Sequence, residues 1–255
     1  MPRPLMPLLC CLLAVLCLQA AAPVSGGPRG ELSFRAYGAE QGLKGQGVWA
    51  LAQDSTGFLW AGTEEGLYRY DGRAWKAFGI RDGLPSSFVE GLQVDDRGDL
   101  WAATYHGLAR LDRGRFRTVE PSQGLPAQPV TALASGAGFP LWVGTQEGPF
   151  RLEADGRFHR ASGWPGGAVT ALWTRPGVPF LYAAARLEGR TRLFRFEGAR
   201  WAAVAAAPRM AGEKIDALAV DGRGGVWARS AGTLFRRLPG EGCLAAVPAP
   251  PMGQK

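Results

Sequence analysis

Val94–Asp112, VDDRGDLWAATYHGLARLD, is the stretch on which the reading of this chain turns. Aligned on its Trp101, the same grammar returns as DSTGFLWAGTEEGLYRYD over Asp54–Asp71, GFPLWVGTQEGPFRLE over Gly138–Glu153 and DGRGGVWARSAGTLFRRL over Asp221–Leu238. A weaker copy, PFLYAAARLEGRTRLFRF over Pro179–Phe196, has Tyr182 at the tryptophan position. The anchors Trp60, Trp101, Trp142, Tyr182 and Trp227 stand 41, 41, 40 and 45 residues apart. One supersecondary unit is being repeated, because a fixed period of this length means a unit that buries its apolar face only against its neighbours.

Within a repeat, four short runs alternate with turn residues, the mark of strands joined by hairpins. In the first repeat they are Val48–Gln53, Phe58–Gly62, Leu67–Tyr70 and Ala74–Phe78. A period of ~40 to 45 residues with four strands each is that of a propeller blade. The fold class is therefore all-β: a β-propeller of four-stranded antiparallel blades, with five recognisable blades over 31–248. Glycine-leucine pairs lead into three of them (Leu43, Leu84, Leu125), each leucine seventeen residues before its tryptophan. Asp54, Asp95 and Asp221 stand six residues before their tryptophans, and Gly57, Gly98 and Gly224 three before. An aspartate that accepts from its own backbone two residues on, followed by a glycine free to take positive φ, makes a tight turn. The tryptophans are expected between neighbouring blades, where a large ring buries ~150 to 250 Å². The third blade has Gly136 in place of the aspartate, and the fourth adds about four residues before Leu193. Phe34 and Tyr37 repeat the spacing of Trp75 and Phe78, so this segment reads as the last strand of a preceding blade.

Residues 1–26 have the layout of a signal peptide: Arg3, a short apolar run over Leu8–Ala22, then small residues. That run is shorter than the ~20 residues of a spanning helix. Cys10, Cys11 and Cys17 fall in this leader and leave Cys243 alone, so the mature chain has no partner for an intrachain disulfide. The tail 249–255 repeats the approach to a further, truncated blade, and the chain is expected to be part of a longer ring. The net charge of +7 is carried by scattered arginines, such as Arg110, Arg113, Arg115 and Arg117 in one blade and Arg192 and Arg195 in another. Arginines at alternate strand positions read as a solvated face, and nucleic acid is not an expected partner.

The pattern D-x-x-G-x-L-W-x-G-T-x-x-G-L, preceded by a glycine-leucine pair and an apolar first strand, resembles the two-component regulator propeller repeat. The resemblance covers about Ser33–Leu238, strongest over Gly42–Asp71 and Gly83–Asp112 and poorest in the fourth blade. It implies a portion of a seven-bladed propeller in the periplasmic or extracellular sensor region of a hybrid histidine kinase or a related receptor such as a diguanylate cyclase. The kinase or cyclase would reside in a domain C-terminal to these residues.

The two histidines, His106 and His159, lie in different blades and have no second ligand at a metal spacing. No nucleophile elbow, phosphate loop or paired-carboxylate signature is present. The expectation is no catalytic residue, no metal and no cofactor. Binding has a surface, because in an antiparallel blade the turns between second and third strands and the connections between blades emerge at one end. That end collects Glu64, Glu65, Tyr105, His106, Gln146, Glu147, Ser86 and Ser87, with Lys44, Gln46 and Gln128 beside them. Polar groups around a concave mouth are the default ligand site. The expected ligand is a small molecule or an oligosaccharide, although loop aromatics suited to a sugar are limited here to Tyr105 and Trp164. A protein partner or a homodimer through the receptor is a further expectation, and membrane attachment would come only through a segment outside these residues. A freestanding secreted scaffold is the alternative, and a propeller lyase of the streptogramin-inactivating kind a more distant one.

Overall fold

The computed structural model describes residues 36–45, 47–136, 138–174, 180–198, 200–206 and 208–248; the expected signal peptide, Phe34, Gln46 and the tail 249–255 lie outside the described residues. The described residues from Tyr37 onward form one compact unit. The first blade consists of β1 (Val48–Gln53), β2 (Leu59–Thr63), β3 (Gly66–Tyr70) and β4 (Trp75–Phe78). The second is β5 (Val89–Val94), β6 (Leu100–Thr104), β7 (Gly107–Asp112) and β8 (Arg115–Thr118). β9 (Val130–Gly136), β10 (Phe139–Thr145), β11 (Gly148–Leu152) and β12 (Phe158–Arg160) make the third, and β13 (Ala168–Trp173), β14 (Leu181–Leu187), β15 (Arg190–Phe196) and β16 (Trp201–Val204) the fourth. β17 (Ala217–Val220), β18 (Val226–Arg229), β19 (Leu234–Arg237) and β20 (Ala245–Ala246) complete the fifth. Every sheet is an antiparallel meander in chain order. The inner strands β1, β5, β9, β13 and β17 pack successively on one another, which sets the blades around a common axis.

The Asp-to-Trp spacing proves to be a single hydrogen-bonded device. Asp95 Oδ1 accepts from the N–H groups of Arg97 (3.0 Å) and Asp99 (2.9 Å), and Oδ2 accepts from Trp101 Nε1 at 2.8 Å. Asp54 and Asp221 hold Trp60 and Trp227 in the same way, at 2.7 and 2.9 Å. One carboxylate thus closes the turn and satisfies an indole N–H that the blade interface buries. The indole of Trp227 and then the N–H of Gly225 hold the Asp221 carboxyl below its ordinary pKa. For Asp54 burial pushes upward, but bonds from Thr56, Trp60 and Phe58 outweigh it and the net direction is down.

Blades meet through these rings. Trp60 packs with Phe78 of its own blade and, at 6.1 Å edge-on, with Phe116 of the next; Trp101 meets Phe158 at 6.0 Å. Arginines nine residues after each tryptophan lie across it: Arg69, Arg110, Arg151 and Arg236 stand 5.6 to 5.7 Å from the ring centroids of Trp60, Trp101, Trp142 and Trp227. The Arg110 and Arg195 side chains remain 43% and 37% exposed, as a solvated face requires, but each also covers an aromatic ring. Their strand neighbours are aromatic, and Arg195 lies over Phe180. An arginine stem and its planar head cover apolar surface while the charge still reaches water.

Gly83 and Gly124 explain the glycine-leucine pairs. Both adopt left-handed φ (98° and 90°) to end the short 3-10 turns Ile80–Asp82 and Pro121–Gln123. A Cβ there would stand 1.9 and 2.1 Å from the carbonyl oxygens of Phe116 and Phe158. The following leucines, Leu84 and Leu125, are buried.

Among the described residues, one face of the first blade is left largely exposed. Val89 and Leu100 of the second blade, packed against the first, are 0% and 2% exposed, whereas the matching Val48 and Leu59 of the first blade are 45% and 44% exposed. Only Tyr37 and Leu43 pack over that face among the described residues, Tyr37 edge-on to Trp75 much as Phe78 is to Phe116.

Candidate functional site

Three identical turns present the site. Thr63, Thr104 and Thr145, all buried, donate through Oγ1 to the carbonyls of Gly66, Gly107 and Gly148 at 2.8 to 2.9 Å. The same oxygens accept from the N–H groups of Glu65, His106 and Glu147 at 3.1 to 3.3 Å. A hydroxyl that bonds on both sides of a two-residue turn fixes the tips Glu64-Glu65, Tyr105-His106 and Gln146-Glu147 in one orientation on the end of the propeller opposite the aspartate turns.

Pairing of the inner strands adds residues that sequence reasoning missed. Register shifts occur between Val48 and Ala50, between Val89 and Gly91, and between Val169 and Ala171, with an equivalent shift opposite Gly144 and Thr145 in the third blade. Each is a β-bulge, which frees one side chain from the ladder and re-aims it. The freed residues are Trp49, Glu90, Thr131 and Thr170. Thr131 and Thr170 turn onto backbone carbonyls, Thr131 Oγ1 reaching Val169 of the next blade at 2.7 Å. Trp49 finds no such use and is 61% exposed.

Two side chains stand next to Trp49. Its ring lies 5.7 Å from that of Phe88. Glu64 accepts the Gly47 N–H with both oxygens (2.8 and 3.0 Å), and a Cβ at Gly47 would meet Glu64 Oε2 at 2.8 Å and Trp49 Nε1 at 3.3 Å. Carboxylate and indole therefore converge beside that glycine. Phe88 is oriented by its N–H bond to Ser86 Oγ (3.2 Å), and its carbonyl accepts from Tyr105 N at 3.2 Å. Tyr105, 54% exposed, stands edge-on to His106 at 5.3 Å. Glu90, two residues past Phe88, is partly buried; burial pushes its carboxyl pKa up, and the Lys214 charge opposes the shift.

Of the residues expected here, Glu64 stands beside Trp49, Tyr105 is tied to Phe88 through its backbone N–H with His106 against its ring, and Ser86, largely buried, accepts the Phe88 N–H. Ser87 is half-buried in the same connection. Glu65 is exposed, and after burial its charge, with a smaller contribution from Glu64, raises the pKa of the Tyr68 phenol. Gln146 and Glu147 are exposed on the matching turn of the third blade, where the Glu147 carbonyl receives Arg160 (2.7 Å). Trp164 is not a loop platform: it is half-buried against Phe194 and Trp201 and donates to the Gly167 carbonyl at 3.1 Å. His159, on the far end, is bonded to Asp155 at 3.0 Å. Among the described residues no group of three His, Cys, Asp or Glu side chains is placed to hold a metal. The signal for Trp49 was present in the sequence as an aromatic in a strand. Nothing there distinguished it from a core residue, because a bulge is a property of the pairing.

Residues 42–65 match the model of the two component regulator propeller family. No curated protein matches. Among solved structures, the extracellular domain assigned to a hybrid two component system of B. thetaiotaomicron superposes with a TM-score of 0.67 at 22% identity over 83% of this chain and 31% of its own. A second such domain from the same organism gives 0.63 at 20% identity, over 80% and 28%. Virginiamycin B lyase from Staphylococcus aureus gives 0.61 at 15% identity, over 78% of this chain and 69% of that one. The chain spans about a third of the length of the hybrid-system domains that it matches. These likenesses establish the fold.

Proposed function

With residues 42–65 carrying a two-component regulator propeller repeat, we propose that this chain is the periplasmic or extracellular ligand-binding sensor portion of a bacterial signal-transduction receptor of the two-component or diguanylate cyclase type. Its ligand is an oligosaccharide held on the Trp49–Phe88–Tyr105 platform. The observation that carries the reading is Trp49, a large ring exposed at the rim by a bulge, backed by Phe88 and flanked by the Glu64 carboxylate. An exposed aromatic face offers a sugar ring a flat apolar partner, and a few placed polar groups fix its orientation. Glu64 and His106 are those groups. The chemistry required is binding, and the output belongs to another domain of the receptor. The similarity of fold to extracellular domains of hybrid two component systems supports the placement outside the cytoplasm.

The test is calorimetric titration of a glycan panel, repeated with Trp49→Ala. A bound glycan whose affinity falls at least about tenfold in that variant, with an unchanged melt, supports the reading. Silence across the panel, or full affinity in Trp49→Ala, removes it.

A further inference from the structure

The outer rim of the second blade gathers positive charge that the blade does not neutralise. β7 and β8 are joined by the two-residue turn Arg113-Gly114, with Asp112 opposite Arg115 in the ladder. The short turn Ile80–Asp82, which ends at Gly83, lies against the free edge of β8. Thr118 Oγ1 donates to the Gly83 carbonyl at 3.2 Å, and Gly83 stands so close to the Phe116 carbonyl that a Cβ would not fit. That docking brings Arg81 alongside Arg113, Arg115 and Arg117, and the four arginines line one cavity of about 410 Å³. From this convergence we propose that the cavity binds the phosphate group of a small phosphate monoester.

The electrostatics suit a dianion. Four arginines against two aspartates, Asp82 and Asp112, leave the lining with a formal charge of +2. Asp112 is taken by Arg117 at 2.6 Å, and Asp82 Oδ2 accepts the Gly79 N–H at 2.9 Å. Arg81, Arg113 and Arg115 are exposed and stand in no ion pair among the described residues. A phosphate monoester carries close to two negative charges at neutral pH and three terminal oxygens. Guanidinium forks match such oxygens in pairs, whereas a sulfate ester or a carboxylate offers one charge only. The volume exceeds that of a phosphate group and falls within the ~300 to 1,000 Å³ of small-molecule sites. The remaining space, beside the 65% exposed Ile80, takes the organic body of the ester.

Arg113 adds an observation of another kind. Its φ of 48°, followed by Gly114 at 82°, makes a turn whose first place favours glycine, asparagine or aspartate. A long side chain held in that backbone conformation is strained, and such strain clusters at ligand clamps. The site lies on the outer rim of the second blade, apart from the Trp49 platform, and stands or falls independently of the sensor reading.

The experiment is calorimetric titration of the purified protein with inorganic phosphate and with glucose 6-phosphate, against glucose 6-sulfate and sodium chloride at matched ionic strength. Saturable binding of at least one of the two phosphates is expected, at least about fivefold tighter than glucose 6-sulfate, which has the smaller charge. Arg113→Gly should lower that affinity about tenfold while the melting temperature holds or rises, because glycine suits the turn. Arg115→Gln, which keeps the ladder, should lower it by a similar factor. A purely structural Arg113 would give the reverse, a lower melting temperature with affinity unchanged. The proposal is overturned if neither phosphate gives a saturable isotherm, if glucose 6-sulfate or chloride binds as tightly, or if affinity survives in both Arg113→Gly and Arg115→Gln.

Discussion

Replacing Asp95 by alanine tests the device that recurs through the fold. The carboxylate accepts three bonds, from Arg97 N, Asp99 N and Trp101 Nε1. Arg97 is exposed and Asp99 half-exposed, so water can take over the two backbone donors in the variant. Trp101 is 4% exposed, and its indole N–H would be left buried without a partner. Stranding such a donor costs about 1 to 3 kcal/mol, and losing the turn bonds adds about 0.5 to 1.5. The expected loss is therefore about 1.5 to 4.5 kcal/mol, or roughly 3 to 18 °C in Tm for a domain of this size. Urea melts followed by tryptophan fluorescence, combined with Trp101→Phe and the double variant, isolate the pairwise part. Phenylalanine keeps the ring and removes the donor, so a coupling energy of at least about 1 kcal/mol is expected between the two positions. A loss in Asp95→Ala within about 0.5 kcal/mol, or independent single effects, would refute the assignment of the Asp–Trp bond as a main support of the blade.

Truncation of Trp101 to alanine should cost about 3 to 5 kcal/mol and unfold or aggregate the chain, while Glu65→Ala, on an exposed turn, should shift stability by less than about 0.5 kcal/mol; paired denaturation curves check both. Glu90 has a carboxyl raised by burial, so its ionised form is disfavoured in the fold and stability from this group is lost as pH rises through the folded pKa. Glu90→Gln should raise Tm at neutral pH, and the gain should vanish in acid; an equal gain at both would show packing rather than charge. Asp54 and Asp221 have lowered carboxyl pKa values, so their contribution is full above the unfolded carboxylate pKa and lost as pH falls below about 4 through the folded values. Tm measured down that range should drop less for Asp221→Asn than for the parent.

The sequence by itself determined the repeat, the strands and the blade count. Periodicity of apolar runs and turn residues is a local property, legible wherever Asp, Gly and Trp recur at fixed offsets. The first-blade strands fall within a residue of their expected limits, and the turns that carry Glu64, Tyr105, His106, Gln146 and Glu147 share one end as strand order required. Tertiary structure decided what those side chains meet. Trp49 and Leu67 are both apolar strand residues, yet a one-residue slip in pairing places Trp49 in solvent and leaves Leu67 fully buried. Trp164 looked like a loop aromatic and is held in a seam, because Trp201 and Phe194 of the fourth blade close over it. The Gly136 substitution was visible in the sequence, but its cost was not. Only packing against the fourth blade shuts water away from Trp142, and without that burial an unpaired indole N–H has no consequence.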